Sequence, residues 1–256
     1  MTMEIRDLQF GYGRRSLFDR LTIPSLRPGE LVALVGPNGV GKSSLFRLIA
    51  GLLRPQAGDI LLGGESALQL PHQSRAKRIF LLTQQSGFRA ALPVFEAVLL
   101  SLRGWQGGRA THADVARVEN MLDALGISSL SDAPANELSG GQQQLVAMAQ
   151  ALVRDPQVLL LDEPTSALDL RRQIEVMQLV RDTARNRNIV VVAALHDLGL
   201  AARFADRFLL LENGIVAADG TPEAVLRDAA TGRVYGVEID IARTNRGTLI
   251  VDAHLV

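Results

Sequence analysis

At 256 residues the chain has the length of one large domain, or of one domain carrying an inserted subdomain, and its 47% hydrophobic content supports a substantial core. Twenty-seven Lys and Arg balance 27 Asp and Glu, which argues against a protein that grips nucleic acid by bulk charge; the absence of cysteine excludes disulfides, thiolate metal sites and thiol nucleophiles. No basic region followed by an apolar run opens the sequence and no stretch approaches the roughly 18 apolar residues of a membrane span, so a cytosolic chain is expected.

The first forty residues, with FGYGRRSLFDRLTIPSLRPGE, read as short strands and turns. LVALVG (31–36) is the first of five continuously apolar runs, followed by RIFLLTQ (78–84), VLLLDE (158–163), IVVVAAL (189–195) and RFLLLE (207–212). Unbroken apolarity fits strands covered on both faces of a parallel sheet. Helical patterns such as 43–52 and 170–187 lie between most of them, which indicates an α/β sheet. From about Pro93 to Arg154 the helical patterns PVFEAVLLSLR, ADVARVENMLDALG and GGQQQLVAMAQAL run consecutively without a strand, as in a helical insertion. Further on, Asn213-Gly214 signals a hairpin turn, Thr221-Pro222 an N-cap with proline at the first helical position, and the final twenty residues another hairpin.

Between the first apolar run and the first helix lies Gly36-Pro37-Asn38-Gly39-Val40-Gly41-Lys42-Ser43, which fits G-x-x-x-x-G-K-[ST] in the strand–loop–helix setting that the motif requires. Glycines let backbone N–H groups wrap around phosphate oxygens, and the helix N-terminus adds its positive end. Lys42 is placed to reach the outer phosphates and the Ser43 hydroxyl to coordinate Mg²⁺. The run 158–163 ends in two carboxylates at the sheet edge where α/β proteins bind ligands. Asp162 is therefore expected to hold Mg²⁺ through water, and Glu163 to accept a proton from, or orient, a water attacking the γ-phosphate. His196 ends another strand and is placed to donate to the same phosphate. His72, His112 and His254 lack such a context, and surface or packing roles suit them better.

Leu138-Ser139-Gly140-Gly141-Gln142 has the S-x-x-Q form of a capping box, and its glycines leave the first helical turn uncovered by side chains. Such an end makes a second anion site. Since the chain already has a phosphate cradle with its own lysine, this one suits a nucleotide held by another copy.

LSGGQ, together with GPNGVGKS, LLLDEP, SALD and the strand-end His196, resembles the ATP-binding cassette (ABC) ATPases over nearly the whole chain. The resemblance implies a fold of the α/β class: a P-loop NTPase core with a mainly parallel sheet, an N-terminal antiparallel β subdomain and an inserted α-helical subdomain. It implies one ABC domain over 1–256, with 1–85 and 156–256 forming the core with its β subdomain and 86–155 the helical subdomain. Two copies would dimerise head to tail around two ATP molecules, each held by one subunit's phosphate loop (Gly36 to Ser44) and the other's Ser139, Gly140, Gly141 and Gln142. By the same resemblance Tyr12 stacks on adenine, Gln84 contacts Mg²⁺ and the attacking water, and Asp169 belongs to the segment that communicates across the dimer. Residues about 86–105 would dock a permease.

A cassette without membrane spans looks most like importer subunits, and LHDLGLAARFADRFLLLENGIVAADGTPEAVL with VYGVEI is most similar to those serving iron–siderophore, haem and cobalamin uptake. The resemblance then implies polytopic permease subunits, a periplasmic or lipoprotein binding protein acting indirectly, and a peripheral place at the cytoplasmic face of the inner membrane. Two departures are Ser101-Leu102, where relatives commonly carry Gly-Arg on a surface expected to face the permease, and Gln143 in place of a frequent arginine. A cassette ATPase working on nucleic acid or ribosomes is the alternative, but the long coiled-coil insertions or second cassette of such proteins are absent.

Overall fold

The structure, a computed structural model, describes residues 1–83, 91–104 and 109–255. It opens with two long antiparallel strands, β1 (Met3–Tyr12) and β2 (Arg15–Leu26), where the sequence suggested short ones. The ladder slips around Asp7 and Arg20, both at positive φ, so the inward alternation of Ile5, Leu8, Phe10, Phe18, Leu21 and Ile23 is broken in sequence though continuous in space. After β3 (Leu31–Val35) and α1 (Lys42–Ala50), β4 (Ala57–Leu62) and β5 (Glu65–Ser66) complete a four-stranded sheet of order β2-β1-β4-β5.

Next come α2 (His72–Arg78) and β6 (Ile79–Leu82), then the helices α3 (Val94–Arg103), α4 (His112–Ala124) and α5 (Gly140–Leu152). The chain returns to the centre through β7 (Val158–Asp162), α6 (Leu170–Arg187), β8 (Val190–Ala194), α7 (Leu198–Phe204) and β9 (Arg207–Glu212). Asn213 and Gly214, at φ 45° and 81°, turn β9 into β10 (Ile215–Gly220). Thr221 then caps α8 (Pro222–Arg227), followed by α9 (Ala229–Tyr235) and the terminal hairpin β11 (Val237–Arg243) and β12 (Leu249–Leu255).

The central sheet has the order β10-β9-β3-β8-β7-β6, parallel throughout except for β10. Its two faces bury separate cores. Leu31, Ala33 and Val35 of β3 join the core formed with α3 to α7, whereas Val32 and Leu34 join the core shared with α1 and the β1–β2 sheet. Both faces being covered explains why the central strands are apolar at every position. It also brings the carboxyl ends of β3, β7 and β8 side by side, with Gly36, Asp162 and His196 at or just beyond them.

Candidate functional site

The loop from β3 to α1 needs glycine for steric reasons. Gly36 and Gly41 hold φ 144° and 112°, and a Cβ on them would meet the Leu211 carbonyl oxygen at 2.6 Å and the Phe18 ring at 2.8 Å. Among the described residues a Cβ on Gly39 would meet nothing within 4 Å, and Gly39 borders the adjoining cavity. The buried Lys42 ammonium donates to the Gly36 and Pro37 carbonyl oxygens at 2.6 and 3.0 Å. Burial pulls its pKa below the ordinary lysine value, opposed by the charges of Glu163 and Asp162. An ammonium parked on neutral carbonyls beside open loop N–H groups is a site suited to polyphosphate.

Asp162 is buried at the end of β7. Burial raises its carboxyl pKa, and a hydrogen bond from the Ser43 hydroxyl acts in the opposite direction. A hydroxyl and a carboxylate in contact, beside a lysine and a phosphate cradle, are the oxygen donors that Mg²⁺ takes alongside phosphate and water. Glu163 follows at φ 53°, a left-handed position held from the backbone: its N–H donates to the Ala194 carbonyl at 3.2 Å. The next residue, Pro164, accepts at its carbonyl from the buried Gln144 side-chain amide at 2.9 Å. This turn carries the Glu163 carboxylate to the His196 imidazole, with Oε1 against Nε2. Tyr12 is half exposed, packs edge-on to Phe10 at 4.9 Å between centroids, and lies 3.2 Å through its hydroxyl from the Ser44 hydroxyl. Tyr12, Lys42, Ser43, Ser44, Glu163 and His196 line one cavity of about 320 Å³, together with Asn38, Gly39 and Gly41 of the loop. Arg15 and Leu17 also line it; neither carries a motif that would have drawn them from the sequence.

The glycine-rich end of α5 forms the reciprocal box that its spacing suggested. The Ser139 hydroxyl accepts from the Gln142 N–H at 3.4 Å, and the Ser139 N–H donates to the Gln142 side chain at 3.0 Å. Among the described residues nothing comes within 4 Å of a Cβ on Gly140, whereas a Cβ on Gly141 would meet the Ala167 carbonyl oxygen at 3.0 Å. Asp169 caps α6 by accepting from the Arg172 N–H at 2.9 Å. Ser139, Gly141, Gln142 and Asp169 line a second cavity of about 300 Å³, which among the described residues shares no lining residue with the first. Gln84 lies outside the described residues, as do 86–90 and 105 of the stretch expected to dock a partner. Ser101 is half-buried and donates to the Gln150 carbonyl at 3.0 Å; Leu102 packs on the main core. Gln143 likewise turns inward, its amide donating to the Leu138 carbonyl at 3.0 Å.

The sequence profile of the ABC transporter family matches residues 23–166. The chain belongs to that family. Over 246 residues this ABC protein is 40% identical to the hemin import ATP-binding protein HmuV of Pseudomonas aeruginosa, covering 94% of this chain and 95% of that one. Its fold is similar to an inward-facing ABC transporter assigned to the metal-chelate type, at TM-score 0.81 and 26% identity over 100% of this chain and 97% of that chain. It is also similar to a dimeric ATP-binding cassette in a post-hydrolysis state with ADP and phosphate, at TM-score 0.77 and 26% identity over 86% of this chain and 98% of that one. The α/β architecture is therefore that of the ABC ATPases, and membership in the family implies binding and hydrolysis of ATP.

Proposed function

We propose that this ABC ATPase is the ATP-hydrolysing subunit of a binding-protein-dependent importer that moves an iron–siderophore or a related metal chelate, haem included, through a separate permease. It works as a head-to-tail dimer at the cytoplasmic face of the inner membrane, with a periplasmic or lipoprotein binding protein delivering cargo to the permease. The observation that carries this reading is the separation of the two cavities: Lys42 and Glu163 line one, Ser139 and Gly141 the other. A second copy turned head to tail brings its bare α5 N-terminus over the first copy's Lys42, completing an ATP site that neither subunit holds alone.

In that site Tyr12 stacks on adenine, and the backbone from Gly36 to Ser44 holds the phosphates with Lys42, whose ammonium exchanges carbonyl oxygens for phosphate oxygens. Ser43, Asp162 and Gln84 are the groups that would hold Mg²⁺, which when bound offsets charge on the phosphate oxygens. Glu163 takes a proton from the attacking water; a bond forms from the water oxygen to the γ-phosphorus as the bond to the β–γ bridging oxygen breaks. His196, whose Nε2 meets the Glu163 carboxylate in the nucleotide-free subunit, donates to the γ-phosphate once nucleotide is bound. Asp169, beside Ser139, passes the state of one site to the other. The cargo class is supported by the identity to a hemin import protein and the structural likeness to a metal-chelate type transporter.

Gentle detergent extraction of the tagged protein from its own membranes, followed by mass spectrometry, tests the reading. A permease with many spans is the expected companion, and its binding protein is then titrated with haem, iron–siderophore complexes and cobalamin. Ribosomes, DNA or a soluble partner in its place would overturn the transport role and leave the ATPase chemistry.

A further inference from the structure

Gly36 opens the phosphate loop, and its N–H leaves the sheet. The parallel ladder between β3 and β9 ends at the pair Val35 and Leu210. The Gly36 N–H is donated at 2.7 Å to the phenol oxygen of Tyr235, a residue 199 positions later at the end of α9. On another side Gly36 is confined by the Leu211 carbonyl, the neighbour that leaves no room for a Cβ. Its own carbonyl accepts the Lys42 ammonium at 2.6 Å. One residue thus bears both the tie to the C-terminal segment and the resting contact of the lysine.

The helix that delivers the phenol is itself fastened. Arg233 pairs with Glu212, the last residue of β9, at 3.0 Å, and Tyr235 packs against the main core. Gly236, at φ 67°, then turns the chain directly into β11. Burial pushes the Tyr235 phenol up to about 12, so it stays neutral and able to accept across the working pH range.

We propose that Tyr235 is a positioning residue for the phosphate loop, fixing through the Gly36 N–H the point at which the loop leaves the sheet and so presetting Lys42 and the loop N–H groups for polyphosphate. Nucleotide affinity then depends on a residue of the C-terminal segment that touches no nucleotide. The physical reason is that an N–H deprived of its partner must find another, by shifting the loop or admitting water, and ligand binding must reverse that shift each time. This inference rests on the reading of the Lys42 cavity as the nucleotide site.

Tyr235→Phe removes one oxygen atom and keeps the ring. Calorimetric titration of the full-length chain with MgADP is expected to show a Kd raised roughly threefold to tenfold in the variant. Its ligand-free melting temperature is expected to stay within about 2 °C of the unmodified chain, and kcat at saturating MgATP within about twofold, so that the effect falls on KM. A variant that binds MgADP as tightly as the unmodified chain would overturn the inference whatever its melting temperature, because a packing role moves stability alone. An unmodified chain that fails to bind MgADP would instead sink the nucleotide-site reading, and this inference with it.

Discussion

Glu163→Gln separates the charge of the strand-end carboxylate from its shape. The left-handed turn that carries Glu163 is held by the Ala194 carbonyl at 3.2 Å and, through Pro164, by the Gln144 amide at 2.9 Å, and neither bond uses the carboxylate. Gln fills the same volume and can still meet His196, so the change in folding stability should stay within about 0.5 kcal/mol. Binding to the monomer should hold or tighten. Glu163 and Asp162 are the two anions opposing the desolvation of Lys42, and removing one also removes repulsion toward incoming phosphate. What is lost is the proton acceptor. A positioned general base contributes about 10²–10⁴-fold, which at 1.36 kcal/mol per decade is about 2.7–5.4 kcal/mol of barrier. Steady-state phosphate release at saturating MgATP measures turnover, and light scattering with and without MgATP measures the dimer that slow hydrolysis should trap. Turnover within about tenfold of the unmodified chain would show that Glu163 is not the base.

Ser139→Arg is expected to abolish hydrolysis while leaving MgADP affinity of the isolated monomer unchanged, since Ser139 lines a different cavity from Lys42; lost monomer binding would mean that α5 serves its own subunit's nucleotide. The same substitution breaks the capping box, so calorimetric unfolding should register about 1 kcal/mol of destabilisation. Arg75→Met tests a support of the phosphate-loop helix: the buried guanidinium donates to the Leu48 and Ile49 carbonyls at the end of α1, at 2.5 to 3.1 Å. Leu48 also accepts from the Gly51 N–H at 3.1 Å, so chiefly Ile49 is orphaned, and about 1–3 kcal/mol should be lost. A melting temperature lowered by less than about 2 °C would show that water replaces the arginine there.

Helix α6 was legible to the residue because its start is marked by Asp169, which caps it, and its end by Asn188, the left-handed residue that stops it. The central strands were legible because burial on both faces leaves them apolar throughout. The paired strands β1 and β2 were underestimated because Asp7 and Arg20 interrupt the alternation at the bulges, and Pro24 lies within β2. Helix α2, short and almost wholly polar, gave no periodic signal, and the burial of Arg75 is set by the distant carboxyl end of α1. For the site, the motifs carry the backbone geometry in their own spacing, so the cradle, the capping box and the carboxylate pair could be read directly. The contact between Tyr235 and Gly36 could not, because it joins residues 199 positions apart by a single hydrogen bond.

Gln144 shows how the two cavities of one subunit are tied. It lies in α5, the helix whose N-terminus Ser139 caps, and its amide donates to the Pro164 carbonyl at 2.9 Å and, more weakly, to the Glu163 carbonyl at 3.5 Å. The Gln144 side chain is buried, and a buried amide fastened to two successive carbonyls resists sliding of the helix along the strand end. A displacement of the α5 N-terminus is therefore carried to the turn that aims the Glu163 carboxylate. In the head-to-tail dimer proposed above, the α5 end would rest on the partner's nucleotide and the Glu163 turn on the subunit's own. In that proposed dimer, engagement at one site would reach the carboxylate of the other through α5 and the Gln144 amide. Gln144→Leu, which keeps the bulk and removes the donor, should slow hydrolysis and weaken cooperativity between the two sites while leaving monomer affinity for MgADP unchanged. A variant with the unmodified chain's turnover and Hill coefficient would show that the helix and the turn move independently.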